Sequence, residues 1–134
     1  MSDVLRWTEL TRSRLTELLP DAVVAMALGA TEQHGPHLAT GTDALLATTA
    51  LERAADRYGV LPENHGAANR PLILAPTMPF GASDHHLAFG GTLSLQAKTL
   101  LAVLVDICSS LSAVGAKRLA SALASRLGAF AAAA

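Results

Sequence analysis

The sequence predicts an α/β fold organised around a parallel sheet, and three observations carry that reading. Residues 23–28 form an unbroken apolar run (Val23-Val24-Ala25-Met26-Ala27-Leu28) between Pro20-Asp21 and Gly29. Residues 72–75 form a second such run between Pro71 and Pro76. Between them lies a stretch from 43 to 58 that lacks Pro and Gly and is rich in Ala and Leu. Short apolar runs flanked by breakers read as buried strands, and a strand, polar loop, helix and second strand in succession form a right-handed βαβ unit.

Taken in chain order, residues 8–19 place Leu10, Leu15, Leu18 and Leu19 on a helical face that ends at Pro20. The first strand and its polar loop (residues 29–42) lead to the 43–58 helix, for which Gly59 is the natural C-cap. Pro62, Asn64, Gly66 and Asn69 mark residues 59–70 as a loop before the second strand. A second polar loop, residues 77–91, precedes a helix with Ser94 as its expected N-cap and Leu100, Leu104, Ile107 and Leu111 recurring at spacings of four, three and four. That stripe must cover a face of the sheet. From Ala116 onward the composition turns to Ala, Ser, Leu and Arg, with Leu119, Leu123 and Leu127 four apart, which predicts another helix or a frayed tail. The expected division is a domain over residues 1–119 and a divergent Ala-rich tail over 120–134.

One domain of ordinary size accounts for 134 residues. With 51% apolar and 16% charged residues the chain has the means to bury a core, which excludes intrinsic disorder. The ten Lys and Arg are scattered and balanced to a net charge of -1, so neither a nucleic-acid groove nor an anionic-membrane patch is expected. The lone cysteine, Cys108, reads as a small buried hydrophobe among Leu104, Ile107 and Leu111. Charges run throughout residues 1–19 and no apolar run reaches the ~18 residues of a spanning helix, so a cytoplasmic soluble protein is expected.

Chemistry concentrates after the first strand, in Gly29-Ala30-Thr31-Glu32-Gln33-His34-Gly35-Pro36-His37 and Thr42-Asp43. The carboxyl end of a strand is where an open α/β sheet builds its site. Glu32 and His34, two apart, leave an extended backbone on the same face, and Asp43 opens a helix that folds back over that edge. Singly, each residue has an ordinary role: a helix cap, a hydrogen-bonded loop histidine, a solvated carboxylate. Together they offer hard oxygen and borderline nitrogen donors suited to zinc or manganese, with His37 as a supporting partner. The second loop adds His85 and His86, whose adjacent rings diverge, so at most one faces the same pocket. His85 is expected to be exposed, and His86 is the candidate catalytic side chain. His65 reads as structural or exposed.

These residues carry a resemblance. Leu28-Gly29-Ala30-Thr31-Glu32-Gln33-His34-Gly35-Pro36-His37-Leu38 with Thr42-Asp43 resembles the hallmark segment of the creatininase (creatinine amidohydrolase) family. The run from Phe80 to Leu95 through Ser83-Asp84-His85-His86 is similar to that family's second loop, and the match extends from about Trp7 to Leu119. The resemblance implies a layered α/β/α fold with a mostly parallel sheet, and a divalent-metal centre that is usually binuclear, holding zinc or manganese. It also implies hydrolysis of a C–N amide bond in a small molecule by metal-activated water. It makes Glu32, His34 and Asp43 the metal ligands, Asp43 bridging, with Ser83 and His86 shaping the pocket.

Departures from the family pattern set a second reading beside the first. Family members are about twice as long, and the strand and Asn-Gly-His loop that complete their ligand set have no counterpart after Gly115; no His or Glu follows His86. The fold is therefore expected to be an incomplete creatininase-like one. One reading is a creatininase-type amidohydrolase; the other is a truncated or diverged non-catalytic homologue that keeps a partial metal site. Apolar surface left uncovered points to a homo-oligomer.

Overall fold

The computed structural model describes residues 4–58 and 70–123. Four parallel strands form one sheet in the order β1-β3-β2-β4, with β1 at Leu5–Arg6, β2 at Val23–Leu28, β3 at Leu72–Leu74 and β4 at Leu119–Leu123. Helices α1 (Arg12–Leu18), α2 (Thr42–Tyr58) and α3 (Ala97–Ala113) connect them, with one-turn 3-10 helix Trp7–Glu9 and a 3-10 segment at Asp84–Phe89.

Alternation along the strands divides the core between two faces. Val24 and Ile73, both fully buried, pack with Leu19, Ala22 and Leu111, against which Leu15, Leu18 and Ile107 also pack. This is the α1 and α3 side. Their neighbours Ala25 and Leu74 point the other way and meet Ala55 and Leu51 of α2. Successive strand residues face opposite sides, so a two-sided hydrophobic run becomes the middle of three layers. The fold is the α/β/α sandwich with a parallel sheet.

Several local expectations are corrected. The first helix starts at Arg12 rather than residue 8, because Leu10 is extended and the Thr11 side chain caps α1 by accepting from Arg14 N–H at 3.3 Å. Ser94 does not cap α3, which begins at Ala97 after Gln96. Its hydroxyl instead accepts from Ser83 N–H at 2.8 Å and donates to Asp84, tying down the second loop.

The segment after Ala116 is neither helix nor frayed tail through Leu123. It is β4, paired with β2 over five residues from Val24↔Leu119 to Leu28↔Leu123. Pairing with a buried central strand overrides the helix propensity of Ala. Cys108 is exposed, not buried. It lies on the helical stripe of exposed Leu101 and Val105, beside the one that meets the sheet. Gly59, His65 and most of the 59–70 loop fall outside the described residues.

The topology creates a crevice. From β2 the chain leaves over one face through α2, and from the adjacent β3 it leaves over the other through α3. Where neighbouring strands send their loops to opposite sides, their carboxyl ends open a cleft between them. The parallel bridge Leu28↔Met78 and the bond from Gly29 N–H to the Met78 carbonyl (2.9 Å) hold the two loops together at its base.

Candidate metal centre

Glycine lets the helix close on the strand. A Cβ on Gly29 would lie 2.4 Å from the Ala44 Cα, so only glycine admits the α2 N-terminus this close to the end of β2. That approach seats Asp43 in the cleft, 8% exposed and in the first turn of α2. Its carboxylate turns to His34, with Oδ1 3.2 Å from Nε2.

The loop between β2 and α2 folds on itself to present the other two groups. Glu32 N–H donates to the Thr40 carbonyl at 3.0 Å, and Thr31 pairs with Leu93 of the second loop. His34 Nδ1 lies 3.0 Å from the Glu32 backbone carbonyl. A carbonyl only accepts, so Nδ1 carries the proton and the neutral ring keeps its lone pair on Nε2, facing Asp43. Glu32, His34 and Asp43 each bring one donor atom to within 4.8 Å of the others.

Electrostatics make this arrangement receptive to a cation. In the neutral ring the Nε2 lone pair and the Asp43 carboxylate are two acceptors in contact, an unfavourable pairing until a proton or a metal ion comes between them. Accordingly the His34 pKa is raised, chiefly by the Glu32 carbonyl and then, against partial desolvation, by Asp43 and Glu32. One imidazole nitrogen and two carboxylates suit zinc or manganese, and the Nδ1–H to carbonyl bond is the usual outer support of a metal-binding histidine. The donor set therefore fits a divalent ion.

The second loop closes the other side. Ser83, 2% exposed, donates its hydroxyl to Glu32 Oε2, while His86 Nε2 lies 3.4 Å from Glu32 Oε1. Of the paired histidines, His85 is exposed and His86 faces the cleft, the rings 4.1 Å apart and tilted. His37 and Asp106 are both exposed, and neither joins the cluster. Two participants had no signal in the sequence pattern. Gln33 lies between two donors and contacts His86, and Thr92 receives the Gln33 N–H at 3.1 Å. Strand alternation aims Gln33 away from its neighbours, and the Gly35 N–H donates to its Oε1 at 2.9 Å.

Residues 5–122 match the family model for creatininase, described as creatinine amidohydrolase. A mycofactocin precursor peptide peptidase of Mycobacterium tuberculosis (strain CDC 1551 / Oshkosh) is 37% identical over 109 residues, which are 81% of this chain and 41% of that protein. A creatinine amidohydrolase of Pseudomonas putida is 33% identical over 104 residues, 74% of this chain and 35% of that protein. Among solved structures, one described as a manganese creatininase superposes with a TM-score of 0.78 at 27% identity, covering 96% of this chain and 48% of its own. The chain spans about two fifths of the length of the curated relatives it matches.

Proposed function

The chain belongs to the creatininase family of hydrolases, and from that membership we propose that it contributes a divalent-metal site to the hydrolysis of a small-molecule or peptide-like C–N amide bond. Glu32, His34 and Asp43 would hold the ion, zinc or manganese. The observation that carries this reading is the convergence of their three donor atoms within 4.8 Å, with His34 Nε2 3.2 Å from Asp43 Oδ1. When bound, such an ion polarises an amide carbonyl and acidifies water toward neutrality.

The chain's own residues do the rest. The Glu32 carbonyl holds the His34 ring in one tautomer and orientation, and the tight seat at Gly29 fixes Asp43. Ser83 occupies one oxygen of Glu32 and so restrains the carboxylate's rotation. His86, the candidate catalytic side chain, places its Nε2 3.4 Å from the other oxygen, and we assign it a role exerted through the Glu32 carboxylate.

Similarity to both a peptide peptidase and a creatinine amidohydrolase keeps the substrate at the level of an amide. A second reading, a non-catalytic homologue with a single metal site, is favoured by the ligand supply: Glu32, His34 and Asp43 are the one such cluster among the described residues. Metal analysis and calorimetric titration of the purified chain with zinc and with manganese test the proposal, with one ion per chain expected. No binding of either ion would refute it. Hydrolysis assays on cyclic amides, formamides and short peptides then separate the two readings.

A further inference from the structure

We propose that Gln33 is a positioning residue that fixes the tautomer of His86, so that its Nε2–H is held toward the Glu32 carboxylate. The inference extends the metal-site reading above but rests on hydrogen bonds that need no metal. Gly35 N–H donates to Gln33 Oε1 at 2.9 Å. Because a backbone N–H can only donate, the accepting end of the Gln33 amide is identified as oxygen, and the other end is the NH2 group. That group lies 2.7 Å from His86 Nδ1. An amide NH2 only donates, so Nδ1 accepts and the proton of the neutral ring sits on Nε2, 3.4 Å from Glu32 Oε1.

The left-handed Gly35 (φ +70) returns its N–H to the side chain two residues earlier, and Thr92 Oγ1 accepts the Gln33 N–H, so the glutamine is anchored at backbone and side chain alike. With Ser83 on Oε2, both oxygens of Glu32 then face donors, which sets the direction in which its remaining lone pairs are offered. A His86 with the opposite tautomer would turn a lone pair on the carboxylate and repel it. Gln33 thus supports a candidate ligand through an intermediate ring, as outer partners of metal sites do.

Long-range proton–nitrogen correlation NMR on the metal-free chain, at a pH where imidazoles are neutral, reads the tautomer directly. In the unmodified chain the His86 ring should show a protonated Nε2 and an unprotonated Nδ1. Gln33→Glu keeps an oxygen for Gly35 but offers His86 Nδ1 only an acceptor, so Nδ1 should gain a proton; Gln33→Leu offers neither and should raise the share of Nδ1-protonated ring. A protonated Nδ1 in the unmodified chain, or an unchanged tautomer in both variants with native-like spectra, would overturn the proposal. Zinc titration supplies the second readout: Gln33→Leu should weaken binding about 10-fold, and undiminished affinity in a variant with a scrambled tautomer would also overturn it. Should the unmodified chain bind no zinc, the metal reading fails while the tautomer measurement still decides the role of Gln33.

Discussion

His34 presents its Nε2 to Asp43 Oδ1 at 3.2 Å while its Nδ1 is committed to the backbone carbonyl of Glu32 at 3.0 Å. The ring has no rotational freedom to spare. Its free nitrogen is therefore aimed at the one point where a cation relieves the contact with the carboxylate. Truncation removes the only nitrogen donor of the cluster, so His34→Ala should lower zinc affinity at least ~10-fold in calorimetric titration, with little change in the far-UV circular dichroism spectrum.

The same bonds set a pH dependence. The His34 pKa lies above the ordinary imidazole value of about 6.5, raised first by the Glu32 carbonyl. Two consequences follow in opposite directions. Without metal, the protonated ring stabilises the fold below the unfolded-state value, and this contribution is lost as pH rises through the folded-state value. With metal, a proton on Nε2 competes for the same lone pair, so zinc affinity should fall as pH drops through the raised value. Titrations over a pH series should show this fall, and His34→Ala should flatten it.

Packing at the strand end gives a third expectation. A Cβ at position 29 would meet the Ala44 backbone, which cannot move without shifting the whole α2 N-terminus. Gly29→Ala should cost about 1–3 kcal/mol in denaturant unfolding and weaken zinc binding by displacing Asp43. Gly41→Ala, where a Cβ meets nothing within 4 Å, should do neither to a comparable degree.

Self-association is the fourth. Leu45 and Leu46 on α2 and Leu101 and Val105 on α3 are each more than half exposed, on opposite sides of the sheet. Surfaces of this kind seek cover. Sedimentation of the chain should show association that deepens with concentration, and Leu101→Lys combined with Val105→Glu should shift it toward monomer. Strictly monomeric behaviour of the unmodified chain would contradict the expected homo-oligomer.

What was legible in the sequence follows the physics of each segment. The run 23–28 is apolar on both faces and bounded by breakers, and it becomes β2 at those limits. The 43–58 helix differs by one residue, Thr42. Convergence of Glu32, His34 and Asp43 was readable because two-residue alternation and a helix start directly constrain direction. β4 was not readable, since its Leu and Ala residues favour helix and only the neighbouring β2 makes them a strand. Ser94 and Gln33 act through partners far along the chain or around a glycine turn, which no local periodicity encodes. Exposure of Cys108 escaped because α3 is apolar on more than the stripe that meets the sheet.

The last expectation concerns turnover, where donor supply decides. Glu32, His34 and Asp43 suffice for one ion with positions left for water and substrate. Two ions acting together on water and carbonyl need further donors, and among the described residues the nearest histidine, His86, turns its Nε2 to Glu32 rather than outward. The cleft also takes its described walls from only two loops, those following β2 and β3, whereas the matched curated relatives are more than twice as long as the segment they share. This 134-residue chain by itself should bind zinc or manganese yet hydrolyse amides slowly or not at all, while the longer relatives serve as the active control. Hydrolysis of any amide in the screen at an enzyme-like rate, abolished by chelator and by Asp43→Ala, would show that one metal and these two loops are enough.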